Sequence, residues 1–150
     1  MRIHDVRRQG GSSLLEVLIA VLVLAIGMLG MGALEMVTLK NSNSAAARSQ
    51  AVIQTYSAFD LLRLNREEAE DGTYNVPNWT CIITANPNGP TNDSLFNTWL
   101  DGVKDSLGDQ AACGRMTCAA DGECTVGIRW NDSRATGGDD QLEIETSSRL

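Results

Sequence analysis

The stretch Gly11-Ser12-Ser13-Leu14-Leu15-Glu16-Val17-Leu18-Ile19-Ala20 decides the fold, because it sets one carboxylate at the threshold of an otherwise apolar run. From Val17 to Leu34 there is no charge, and these 18 positions hold almost nothing but Val, Leu, Ile, Ala, Met and Gly. At roughly 1.5 Å per residue, such a helix crosses a bilayer core with a little help from its flanks. A carboxylate in that setting costs roughly 2.5–3.5 kcal/mol at mid-bilayer and less near the interface. Glu16 therefore requires a partner.

Outward from this stretch, the flanks set the topology. Arg2, Arg7 and Arg8 precede the apolar run, and the first basic residue after it is Lys40. Positive-inside bias places the N-terminus in the cytoplasm and everything beyond the span in the periplasm or outside. A secretory signal would carry a small-residue cleavage site after its apolar stretch. Here Leu34-Glu35-Met36 continues without one, and the small pair Gly10-Gly11 stands before the run. The chain thus divides into a leader (1–11), a membrane-spanning half-helix (12–40) and an exported head with the second half of the helix (41–150).

No Pro occurs from Ser13 to Arg66, so the spacing predicts one helix of about 54 residues, roughly 80 Å long. In its second half Ala45, Val52, Tyr56, Phe59 and Leu62 form the stripe expected to carry the head. Asp71-Gly72 ends the helical region, with fraying from about Glu67. A loop from about Thr84 to Asn92 leads to a short helix capped by Asp93 or Ser94. Its apolar residues Leu95, Trp99, Val103 and Leu107 recur every fourth position, and Gly108 stops it. Strands are expected at Arg115–Ala119, Cys124–Trp130 and Gln141–Thr146, where apolar and polar residues alternate. The fold class is α+β: a long membrane-spanning N-terminal helix with a small antiparallel sheet packed on its C-terminal half. Trp79, Trp99 and Trp130 are assigned to the core of that head.

The four cysteines, Cys81, Cys113, Cys118 and Cys124, all lie in the exported part, where an even number predicts disulfides. A three-residue loop Ala120-Asp121-Gly122 would bring Cys118 opposite Cys124 at a closely spaced site. Elimination then joins Cys81 to Cys113. Zinc is disfavoured by these spacings, and the only His is His4 in the leader. Asp132, Asp139 and Asp140 match no EF-hand calcium loop, so no metal or cofactor is expected.

The formal charge is −7, and removal of the leader, which carries +2, leaves −9. Such a chain offers no basic face to nucleic acid. No nucleophile elbow, zinc-helix motif or phosphate loop is present, and loss of the leader removes the only His, so an enzyme is not expected.

The basic leader ending in Gly11, the glutamate fifth after it and the apolar helix that follows resemble the prepilin family. That resemblance implies cleavage of the Gly11–Ser12 bond by a prepilin peptidase, methylation of the new amine of Ser12, and retention of Glu16 for subunit assembly. The new amine of a neighbouring subunit would neutralise Glu16 in low dielectric. Two departures are visible: Ser12 stands where many members carry Phe or Met, and Ala33 where many major pilins carry Pro. Gly27, Gly30 and Gly32 are then the softer points of the span. Ala25-Ile26-Gly27-Met28-Leu29-Gly30-Met31, Asp60-Leu61-Leu62-Arg63-Leu64-Asn65-Arg66 and Val126-Gly127-Ile128-Arg129-Trp130-Asn131-Asp132 are similar to PilV, the type IV pilus modification family of minor pilins. The resemblance implies association with other minor pilins and the major pilin in priming a type IV pilus. It also implies residence in the inner membrane and then in the filament. Arg63, Asn65 and Arg66 are read either as a partner contact or as a solvated helix end. The alternative is a minor pseudopilin of a type II secretion system, with a tip adhesin or DNA-uptake subunit behind it. Mass spectrometry of the mature chain should find Ser12 first and monomethylated; a retained Met1 in a peptidase-competent host would refute the reading.

Overall fold

With no helix breaker in its way, helix α1 runs over Leu14–Leu64. The computed structural model describes residues 13–83 and 92–150. The chain divides into two compact units, Met1–Thr38 and Leu39–Leu150. Every described side chain of the first unit is exposed, and this part of α1 is long and apolar enough to cross a membrane. An uncovered surface of Leu, Val, Ile and Met in water would forgo about 25 cal/mol per Å², so it needs lipid or protein against it.

In the second unit α1 is followed by α2 (Arg66–Glu70), β1 (Val76–Thr80), α3 (Asn92–Leu107), β2 (Cys113–Cys118), β3 (Glu123–Trp130) and β4 (Leu142–Arg149). The strands form one antiparallel sheet in the order β1-β2-β3-β4. This is the expected α+β arrangement, a small sheet packed against the long helix.

The face that α1 turns to the sheet differs from the expected one. Ser44, Ala51, Thr55, Ala58, Phe59 and Leu62 are buried, whereas Ala45, Val52 and Tyr56 are exposed. At 100° per residue the upper part of the stripe is rotated by one position. The cause is closeness: the small side chains at 51 and 58 admit the neighbouring elements, and Thr55 returns its hydroxyl to Ala51 O at 2.9 Å, so it enters the core satisfied.

Helix α1 stops about two turns before Asp71 because Asn65 competes for its carbonyls. Its Nδ2 donates to Leu61 O at 3.0 Å, and its own N–H reaches back to Leu62 O. Helix α3 begins at Asn92, one residue ahead of the expected caps; the side chains of Asp93 and Ser94, and most of the loop before them, lie outside the described residues. Phe96, Trp99, Leu100 and Val103 form its buried face, and Leu95 and Leu107 flank it. Trp99 wedges between layers: Nε1 donates to Gln54 O at 2.9 Å, and its ring lies where a Cβ on Gly114 would come within 2.6 Å. Only glycine fits β2 at that point.

Strand β1 was not anticipated, since Pro77 interrupts the alternation. Proline is tolerated because β1 is an edge, and its register against β2 is irregular. Just before it, Asn75 extends the pairing with its side chain. Its Nδ2 donates to Cys118 O at 3.1 Å, and its Oδ1 accepts from Cys118 N at 2.6 Å.

The β2–β3 hairpin turns with Gly122 at φ 84° and pairs Cys118 directly with Cys124. Asp121 accepts the Glu123 N–H, and with Arg149 close by this holds its carboxyl below the usual range. That contribution is present above the ordinary carboxylate pKa and fades as pH falls through the lowered one. Cys118–Cys124 and Cys81–Cys113 are disulfide bonds with sequence separations of 6 and 32. Chain entropy assigns about 2 kcal/mol to the shorter bridge and about 3–4 kcal/mol to the longer. Replacing Cys81 and Cys113 together by Ala should therefore lower the denaturant midpoint more than replacing Cys118 and Cys124, measured on the full chain in detergent.

Candidate assembly site

Glu16 occupies the first turn of α1. The turn is built on Ser13, whose carbonyl accepts from Glu16 N at 2.9 Å and Val17 N at 3.3 Å. A negative charge here is favoured by the unsatisfied N–H groups of the helix start. Among the described residues no cation faces Glu16, and its side chain is exposed. Gly11 and Ser12, read as the scissile pair, lie outside the described residues.

Helical geometry places Ala20, Val23, Gly27 and Gly30 on the same side of α1 as Glu16, all within about 40° of it. A Cβ added at Gly27 or Gly30 would meet nothing within 4 Å. The glycines thus leave a shallow lane in line with the carboxylate. Small residues in such a lane let a second helix come close, where backbone dipoles and an ionic contact act over short distances. Leucine, valine and isoleucine cover the rest of the cylinder.

The head has a second polar constellation, which the sequence reading missed. Asp132, 5% exposed, accepts from Ser44 Oγ at 2.7 Å and from Arg48 at 3.3 Å, fastening the β3–β4 connection to α1. The connection is tight: Asp132 N donates to Asp139 O at 2.8 Å, and a Cβ on Gly138 would lie 1.9 Å from Asp132 O. Asn41 adds a contact from its Oδ1 to Thr136 N at 3.1 Å. The available signal was the polar run Asn41-Ser42-Asn43-Ser44 inside an otherwise regular helix. Asp132 is thereby committed to Ser44 and Arg48. Asp139 Oδ1 accepts from Gln141 N, and among the described residues no group of three or more His, Cys, Asp or Glu side chains gathers to hold a metal.

Trp99 and Trp130 are core residues, but Trp79 is not. It lies half-exposed on the outer sheet face, with the Arg115 and Arg129 guanidinium carbons 4.7 and 4.8 Å from its ring centre and Gly127 beneath it. Arg115 also pairs with Glu145. Odd-numbered residues of the strands face outward, so a tryptophan on β1 at an odd position joins this cation–π stack. Arg63 bonds Asp60 and Ser148 while lying 6.0 Å from the Phe59 ring, and Arg66 bonds Glu70. Those cations are engaged within the head.

Residues 6–32 match the family model described as the prokaryotic N-terminal methylation motif. No curated protein and no solved structure matches the chain. The match supports a type IV prepilin-like chain, a class that covers pilins and pseudopilins, and the motif implies processing by prepilin peptidase and assembly with other pilins. Together with the apolar helix it supports anchoring in a membrane.

Asp132→Ala should destabilise the head by about 1–3 kcal/mol, because it strands a buried hydroxyl. Arg48, 54% exposed at its side chain, contributes through a screened pair, and Arg48→Gln should cost under about 1 kcal/mol. Urea unfolding of both variants followed by tryptophan fluorescence checks the order.

Proposed function

We propose that the chain is a minor pilin of the PilV kind, cut after Gly11, methylated at Ser12, and built with other minor pilins and the major pilin into a complex that primes type IV pilus assembly. Its N-terminus starts in the cytoplasm and its head in the periplasm; it then passes from the inner membrane into the filament. The role is structural and not enzymatic.

The observation that carries this reading is the lone carboxylate Glu16, five positions after Gly11, on an uncovered apolar helix inside the matched segment. A helix with that surface is unstable in water and incomplete in lipid. Transfer into a bundle of like helices covers the apolar flanks, and the cleaved amine of a neighbour meets the acid. In lipid the carboxylate has no such partner, so the charge pair favours the filament over the bilayer. The acidic head disfavours DNA as cargo.

The same parts would serve a minor pseudopilin, which pushes secreted proteins out instead of starting a pilus. Deleting the gene separates the two: loss of surface pili with normal secretion of exoproteins is the expected result, and the reverse would replace pilin by pseudopilin. Glu16→Ala should leave membrane insertion intact and reduce the chain in sheared filaments by about tenfold or more, equivalent to losing roughly 1.4 kcal/mol or more of intersubunit contact. Immunoblots of sheared and membrane fractions measure both, and wild-type filament levels would refute the role of Glu16.

A further inference from the structure

The two edges of the sheet are unlike. Strand β1 has five residues, an irregular register and Pro77, which has no N–H to offer. Strand β4 has eight residues, each in unbroken register with β3 from Trp130↔Leu142 to Glu123↔Arg149. Leu150 N donates to Gly122 O at 2.9 Å, which fixes the phase of that ladder. The N–H and C=O groups of Glu143, Glu145, Ser147 and Arg149 therefore point away from β3. Among the described residues the one bond to these groups is local, from Ser148 Oγ to Arg149 O at 3.3 Å, and β4 has no neighbouring strand on that side. Natural sheets rarely leave so long and regular an edge open.

We infer that β4 is a strand-addition site for an extended segment of a different filament subunit, running antiparallel to β4 and carrying basic side chains opposite Glu143 and Glu145. Backbone bonds would supply affinity, and the alternating side chains would supply register. Glu143 makes no ion pair among the described residues, whereas Glu145 is shared with Arg115. On the inner face Leu142 and Ile144 are half-buried against the core, ready to be covered by an apolar side chain from the incoming strand.

A second copy of this chain fits poorly in either way it can approach. Translation would bring β1 against β4, and β1 is spoiled by Pro77. A two-fold axis through Thr146 pairs β4 with itself and sets Glu143 opposite Arg149, which is chemically matched. The same pairing sets Glu145 opposite Ser147, so the second carboxylate meets no cation from the other copy.

This inference extends the assembly reading above, and the experiment separates their failures. Benzoylphenylalanine is placed singly at Glu143, Ser147 and, as an assembly control, at exposed Tyr56 on α1, in the full chain expressed in its own host. Crosslinked peptides are then identified by mass spectrometry. The expected result is that Glu143 and Ser147 react with the two ends of one extended segment of another subunit, in reversed order. Glu143→Pro, which removes an outward N–H only, should reduce the Ser147 crosslink about fivefold, the worth of one backbone hydrogen bond, with the circular dichroism of the purified chain unchanged. Crosslinks from Tyr56 without any from β4 would overturn the edge site and leave assembly standing. Crosslinks from β4 to β4 of a second copy, or scattered without register, would also overturn it. Absence of all crosslinks together with absence from sheared filaments would overturn both.

Discussion

Close approach of α1 to the layer beneath it is the constraint on which the head depends. Ala51 and Ala58 have no side chain beyond Cβ and are fully buried, and Thr55 folds its hydroxyl back onto the helix. That closeness lets Trp99 reach Gln54 O while its ring occupies the space above Gly114. Larger residues at 51 or 58 would lift the helix, lengthen that bond and open a void around Phe59 and Leu62. The same helix, in its first unit, has no such demand and presents large aliphatic side chains around most of its circumference, apart from the lane of Ala20, Gly27 and Gly30. One unbroken element thus obeys two solvents, and the change of side-chain size along it marks the passage from one to the other.

Most of the architecture was legible in the sequence because it rests on strong local signals. An uncharged run of this length has few readings, and the alternation Val126, Ile128, Trp130 against Thr125, Gly127, Arg129 defines both the strand and its faces. Turn chemistry around Asp121-Gly122 was sufficient to set a register. What escaped was everything decided by fit instead of by pattern. The buried side of α1 was misplaced because size was taken for burial, so Val52 and Tyr56 were preferred to Ala51 and Thr55. Strand β1 escaped because an edge tolerates the Pro77 that a central strand would reject. Trp79 was counted as core because tryptophan usually is, but its partners Arg115 and Arg129 come from strands remote in sequence.

The candidate site divides in the same way. Glu16 stands out in sequence, since a charge inside a membrane segment is expensive and therefore meaningful. The lane formed with Ala20, Gly27 and Gly30 needs only the helical repeat to be seen. The clasp of Asp132 with Ser44 and Arg48 joins residues more than eighty positions apart, and no local pattern announces it.

Lys104 sits nearly out of water, with Nζ donating to the carbonyls of Cys81 at 2.6 Å and Gln110 at 2.8 Å. Together with the Cys81–Cys113 bond it pins both ends of the excursion that contains α3. Closure entropy grows only slowly with contour, by about 0.6 kcal/mol for each doubling, once the ends are held. The connection leading from Cys81 into α3 is therefore free to drift in length and composition while the sheet keeps its register. Fastened in this manner, the excursion is a cassette, closed at its base so that added chain would cost the scaffold little.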